Sequence, residues 1–271
     1  MNFNQIGLIF KNTVTKEWRS KTLLFLLGVN ILMIFLAGAF LSFFNKEVLT
    51  DMSLDSLAQK TVGIFFLIIN FWSFLISAFF GVGVVRSDSE EGVMAQLLAF
   101  PLSRGEYLTG RVLGAWTIVM LYYLLSLIMA IVGVYMAIGS FAFSPGLFAG
   151  VLLNTIPNLI VLVIGILISL NLGKIQSFLV VMLVVFFVSI SNGLYQGVEL
   201  STAFETMTPM RSIAFVIHWI APHISYWGDN ANELIMGNSF GEGALRETAH
   251  LLFTGSLLGL VTYFFLKRKE V

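Results

Sequence analysis

The strongest constraint on this chain is the recurrence of apolar runs about as long as a lipid hydrocarbon core is thick, at 22–44, 61–85, 112–139, 147–170, 175–198 and 249–266. About 20 helical residues cross a bilayer, and within hydrocarbon only structures that satisfy their own backbone groups survive. The predicted fold class is therefore an all-α integral membrane protein with about six transmembrane helices in a single domain, 1–271. Composition agrees, since 58% of residues are hydrophobic, 11% are charged, and the mean hydropathy is +0.91, outside the range of soluble domains. The net charge of zero gives no support to nucleic-acid binding. Cysteine is absent, which removes disulfides, thiolate metal sites and cysteine nucleophiles.

The polar breaks carry the organisation. In 1–21, Ile6, Phe10, Val14 and Trp18 recur every four residues while Lys11, Lys16 and Arg19 lie elsewhere on the wheel, which predicts an interfacial helix with the Trp18 indole in the headgroup layer. That stretch does not have the form of a cleavable signal, so the first span is expected to stay. Pro145 and Gly146 mark a turn, Pro157 is expected to kink the fourth span, and 199–248 reads as an extracytoplasmic subdomain of short helices. Counting basic residues orients the scheme. Lys11, Lys16, Arg19, Lys21, Arg86, Arg104, Arg111, Lys174, Lys267, Arg268 and Lys269 fall on one face, and Lys46, Lys60, Arg211 and Arg246 on the other. Both termini and the 86–111 segment are therefore expected in the cytoplasm.

That segment is the longest polar break in the N-terminal half. Ser87 with Glu90, and Ser103 with Glu106, have the spacing of capping boxes, and Pro101 lies between them, so the pattern predicts a short helix from Asp88 to Ala99, a corner, and a helix entering the membrane. On the short helix Val93, Met94, Leu97 and Leu98 share one face, opposite Asp88, Glu91 and Gln96. An amphipathic helix held between spans lies in the lipid interface or fits a groove on a partner. The absence of Lys and Arg between Ser87 and Leu102 favours the protein groove.

Covalent chemistry is hard to find. The Gly173–Lys174 pair is followed by Ile175 and preceded at the required distance by Ile168, so no phosphate-binding loop is present. His218 and His223 with Met207, Met210 and Met236 offer imidazole and thioether to a copper ion, against the plainer reading of gap-filling methionines and interface histidines, and no metal is assigned. Glu247 with His250 is half of a zinc motif without its second histidine, and Ser256 has no base nearby. The predicted spans hold almost no ionisable group, only amides and hydroxyls such as Asn30, Asn70, Ser73, Ser77, Asn154 and Asn158, which suits a lipid-like cargo or none. Gly110 with Gly114, Gly146 with Gly150, and Gly255 with Gly259 have the spacing that permits close helix contact.

Glu90-Glu91-Gly92-Val93-Met94, Leu97-Leu98, Pro101-Leu102-Ser103-Arg104 and Gly110-Arg111 together resemble the cytoplasmic coupling segment of ABC-2 type transporter permeases. Val93 and Met94 stand where that family usually has Thr-Leu, and Arg111 where it has lysine. The Pro101 to Gly105 run is similar to that of permeases associated with nitrous-oxide-reductase maturation. The resemblance implies a permease without catalytic residues or cofactors of its own, working as a dimer with a separate ATPase that binds ATP and Mg. It implies that Asp88, Glu90, Glu91, Val93, Met94, Leu97, Leu98, Pro101 and Arg104 meet that ATPase, that the N-terminal helix touches it, and that the work is export or motion passed to an extracytoplasmic accessory protein. The rival expectation is a membrane scaffold or assembly factor that does not transport; an intramembrane enzyme would need a catalytic pair that the sequence lacks.

Overall fold

A computed structural model describes residues 2–19, 21–48, 54–98, 102–138, 145–195, 208–235, 237–239 and 243–268. The described residues form α1 (Phe3–Trp18), α2 (Lys21–Val48), α3 (Leu54–Glu90), α4 (Val93–Leu98) and α5 (Arg104–Ile138). They continue with α6 (Pro145–Ser169), α7 (Lys174–Tyr195), α8 (Pro209–Ile220), α9 (Ile224–Ile235) and α10 (Ala244–Arg268). No strand occurs among them. Five helices, α3, α5, α6, α7 and α10, are long and apolar enough to cross a membrane, and α2 contributes the apolar stretch Leu24–Leu36. The all-α integral membrane architecture is thus the observed one. Phe35, Phe186 and Phe253 are each more than half exposed on the outside of the bundle, as a lipid-facing surface requires and a water-facing one would not tolerate over such an area.

Several helices outrun the predicted spans. α3 has 37 residues and α5 has 35. At the helical rise of roughly 1.5 Å per residue each is on the order of 50 Å long, against about 30 Å of hydrocarbon. The second span therefore continues without a break through Ser87 and Asp88, which corrects the expectation that a new helix starts there. α3 ends because Gly92 takes a φ of 70°, a left-handed conformation that costs glycine little. Ser103 does cap a helix as its spacing implied. Its backbone N–H donates to Glu106 Oε2 at 2.9 Å, and Glu106 N–H donates to Ser103 Oγ at 3.2 Å. Pro145 opens α6 instead of marking a turn, since a first-turn residue needs no amide donor. Pro157 lies inside α6, where nearby carbonyls accept side-chain donors: Asn158 Nδ2 donates to Asn154 O at 2.8 Å and Trp116 Nε1 to Thr155 O at 3.0 Å. The expected corner at Pro101 lies outside the described residues.

The core is built around α3, which packs against α5 on one side and α6 on the other. The α3–α6 crossing is very close at Gly81 and Gly165. A Cβ added to Gly81 would strike the Leu162 carbonyl, and one added to Gly165 would lie 3.1 Å from the Gly81 backbone. α1 lies on the first turns of α5 through Gly110 and Gly114, where added Cβ atoms would come within 2.7 Å of Ile9 Cβ and 2.6 Å of Thr13 Cβ. At the far end α9 sits on α6, with Gly150 leaving room for the Ala231 carbonyl. The glycine pair at 110 and 114 thus serves helix contact as its spacing implied, whereas Gly259 faces open space.

These close approaches predict a contrast. Gly110→Ala pushes α1 off α5 and lowers stability by about 1–3 kcal/mol. Gly83→Ala, with nothing within 4 Å of the new methyl, leaves stability unchanged or raises it by roughly 0.5–1 kcal/mol. Thermal unfolding midpoints of the two variants in the same detergent check this.

Candidate functional site

The elbow between α3 and α5 is tied together by charge. Asp88 sits on the last turns of α3 with no solvent exposure, and Arg111, on the second turn of α5, is 1% exposed. Arg111 NH2 approaches Asp88 Oδ2 at 2.5 Å, and the Tyr107 hydroxyl donates to the same oxygen at 2.8 Å. The other oxygen, Oδ1, faces Lys16 Nζ of α1 at 3.4 Å. Arg111 NH1 also donates to Thr13 Oγ1 at 3.0 Å and Asn12 Oδ1 at 3.2 Å, both on α1. A buried charge left alone is expensive, so Asp88 and Arg111 hold α3, α5 and α1 in one register. Tyr107 and Arg111 are one helical turn apart, which puts both on the face that meets Asp88.

Two further arginines fasten helix ends at the same end of the bundle. Arg86 NH1 donates to the Ser169 carbonyl at 3.2 Å and the Leu172 carbonyl at 2.7 Å, at the close of α6. Arg104 NH1 donates to Leu266 O at 2.9 Å and Lys267 O at 2.6 Å, at the close of α10. Each supplies donors and positive charge where a helix leaves carbonyls unpaired. Glu90 joins this ring through Arg86 Nε at 2.8 Å and Lys174 Nζ at 3.2 Å. Within α1, burial pushes the Glu17 carboxyl up from its ordinary value, and Lys16 and Arg111 act in the opposite sense.

The expected partner-binding residues therefore divide. Asp88 and Met94 are buried among this chain's own elements, Met94 in the same core cluster as Tyr107 and Leu108. Arg104 is engaged with α10. Val93 and Leu97 are half-buried, and Leu97 packs on the same core. Leu98 belongs to α4, and its side chain, like the whole of Pro101, lies outside the described positions. Ser89, Glu90, Glu91, Gly92 and Gln96 are exposed, with Glu91 3.5 Å from Lys16. Lys16, Thr13 and Tyr107 escaped sequence reasoning. The one clue was the glycine pair at 110 and 114, which brings a second helix against the Arg111 face.

The copper reading fares differently. His218 and His223 stack face to face, His218 Nδ1 meets Asn192, both His223 nitrogens meet Glu247 and the His218 carbonyl, and Met210 is 77% exposed. Met207 and Met236 lie outside the described residues. No group of three or more His, Asp or Glu side chains among the described residues can hold a metal ion.

A bundle with five helices long and apolar enough to cross a membrane, fastened by charge at an elbow at one end, defines the class: a polytopic membrane protein. The sequence profile described as ABC-2 family transporter protein matches residues 9–268. The chain belongs to that family and is a permease subunit of an ABC transporter, which implies a partner ATPase subunit. A search of curated proteins returns no match.

The buried pair predicts strong non-additivity. Asp88→Leu or Arg111→Met each leaves a buried charge uncompensated and costs about 3–5 kcal/mol, whereas Asp88→Leu with Arg111→Met costs less than the two single changes summed. Lys16→Met, at a side chain 38% exposed, costs about 1 kcal/mol or less. Unfolding midpoints across this double-mutant cycle check the ordering.

Proposed function

We propose that this permease couples ATP hydrolysis on the separate ATPase to export, or to conformational work on an extracytoplasmic partner, through the exposed rim of the elbow. The observation that carries this reading is the charge-tied elbow. A force applied at Glu91 and Gln96 reaches α3 through the Gly92 break, α5 through Asp88 and Arg111, and α1 through Lys16. An elbow fastened in this way transmits a push instead of absorbing it. In this reading ATP and Mg sit on the ATPase, two permease copies pair with two ATPases, and the elbow end faces the cytoplasm of a cell inner membrane with both chain termini. Lys16, Arg86, Arg104, Arg111 and Lys174 gather at that end, which is the basic asymmetry expected of a cytoplasmic face. The amide and hydroxyl lining among the spans suits a lipid-like cargo or motion without cargo, and the Pro101 to Gly105 likeness favours service to metalloenzyme maturation.

The contact surface of this reading is Ser89, Glu91, Gly92, Val93 and Gln96. Glu91 is expected to face basic residues of the ATPase groove, and Glu90 contributes charge from beside it. Glu91 and Gln96 are exposed, and Glu91→Lys gives up only the exposed 3.5 Å contact with Lys16, so Glu91→Lys with Gln96→Arg leaves the fold intact. The double variant lowers the affinity for the co-purifying ATPase by about tenfold, equivalent to about 1.4 kcal/mol, and lowers permease-stimulated hydrolysis with it. Recovery of the chain from its native membrane without a nucleotide hydrolase, or unchanged hydrolysis in the variant, moves the reading to a non-transporting scaffold.

A further inference from the structure

All three histidines of the chain meet at the end of the bundle opposite the elbow. His218 comes from the last turn of α8, His223 from the corner before α9, and His250 from the second turn of α10. The rings of His218 and His223 stack with centroids 4.1 Å apart and planes 17° apart, and those of His223 and His250 at 3.9 Å and 20°. His223 is the middle of the stack. Its Nε2 lies 2.6 Å from the His218 carbonyl oxygen. A carbonyl only accepts, so Nε2 carries a proton. Nδ1 contacts Glu247 Oε2, with both side chains buried. One more proton must lie between those two atoms. Arg246, 2.8 Å from the other Glu247 oxygen, stabilises the carboxylate, which leaves the proton on His223 as an imidazolium.

The outer two rings are arranged to stay neutral. His250 Nε2 donates to the Trp219 carbonyl at 3.1 Å, and its Nδ1 is buried with no partner among the described residues. His218 Nδ1 donates to Asn192 Oδ1 of α7 at 3.1 Å. Burial, then the neighbouring His223 charge, pushes the His218 pKa down to about 4. Among the described residues the other groups that face the stack are Tyr195 of α7, 6.0 Å from His218, whose hydroxyl donates to the Arg211 carbonyl, and Tyr226 of α9. α6 carries no ionisable side chain. One cation between two neutral imidazoles, paired with one carboxylate, thus joins α7, α8, α9 and α10.

We propose that His223 and Glu247 form a single-proton binding site that locks the α8–α9 corner onto α10. With the proton bound, the ion pair closes; without it, two acceptors face each other in a buried site and the corner is released. The lock therefore opens when the site loses its proton. It also weakens under acid conditions, where a second charge on His218 would lie 4.1 Å from the first. The ligand of this site is the proton itself, and its occupancy sets how the α8–α9 region meets the last span. Neither statement depends on what the elbow binds.

Because only three imidazoles are present, ring-nitrogen spectra of the full chain labelled with 15N-histidine in lipid nanodiscs resolve every one. At about pH 7, where an ordinary histidine is mostly neutral, the expected spectrum has one doubly protonated ring, one ring protonated at Nδ1 and one at Nε2. Glu247→Gln presents an amide donor to a neutral Nδ1, so it abolishes the doubly protonated ring while keeping the corner in place. Glu247→Ala releases the corner. Spin labels at Val216→Cys and Leu252→Cys, both exposed in a cysteine-free chain, read that release as a longer and broader distance. In the otherwise native chain the distance lengthens over the same pH range in which the doubly protonated ring disappears, and Glu247→Gln flattens this dependence. Three neutral rings at about pH 7, or a distance that stays fixed while the doubly protonated ring disappears, overturns the proposal.

Discussion

A carboxylate and a guanidinium removed from water at the membrane margin are tolerable only if each satisfies the other and their remaining hydrogen-bonding positions are filled. Both Asp88 oxygens and both terminal nitrogens of Arg111 meet that condition through Tyr107, Thr13, Asn12 and Lys16, while Arg111 Nε is buried with no partner among the described residues. The requirement fixes more than a pair. It sets where α3 ends relative to α5, and it forces α1 onto the glycine face at Gly110 and Gly114, because Thr13 is both an Arg111 acceptor and the side chain that fills the space left by Gly114. The elbow, α1 and the first turns of α5 thereby become one body.

From that body the mechanical path leads to the far end through backbone contact. α3 passes α6 at Gly81 and Gly165 so closely that no side chain separates them. α6 in turn carries α9 at Gly150, and the histidine stack joins the corner before α9 to α7, α8 and α10. Close-packed crossings of this kind shift as units, since even one methyl group has no room. Arg86 and Arg104 close the ring at the elbow end by holding the C-termini of α6 and α10. A displacement of the elbow is thus felt by every long helix with which it shares an arginine.

The all-α membrane class was legible because a bilayer imposes length and apolarity on any sequence that crosses it, and the Ser103–Glu106 cap was legible because its partners are three residues apart. The Ser87–Glu90 pair has the same spacing and no such role. Gly92, two residues further on, supplies the left-handed residue that ends the helix, and until then α3 has no reason to stop. On a helical wheel Asp88 belongs to the polar face and reads as a surface residue. Only the arrival of Arg111 from α5 and Lys16 from α1 makes burial favourable, and no local pattern contains that information. Met94 likewise lies on the apolar face of its helical wheel, and its place in the core cluster with Tyr107 and Leu108 is not written in any local pattern. Gly81 and Gly165 are 84 residues apart, and His250 lies 27 residues beyond His223, so neither partnership has a period to detect.

The central claim is that the elbow and α1 move as one body when the ATPase acts. The most direct measurement is the distance between spin labels at Lys11→Cys and Gln96→Cys, both exposed positions, in the assembled complex with and without Mg-ATP. The account predicts one narrow distribution, unchanged by nucleotide, because Lys16, Thr13 and Arg111 hold α1 against the Asp88 end of α3. A distribution that shifts or splits on addition of Mg-ATP would show α1 moving independently of the elbow and would contradict it.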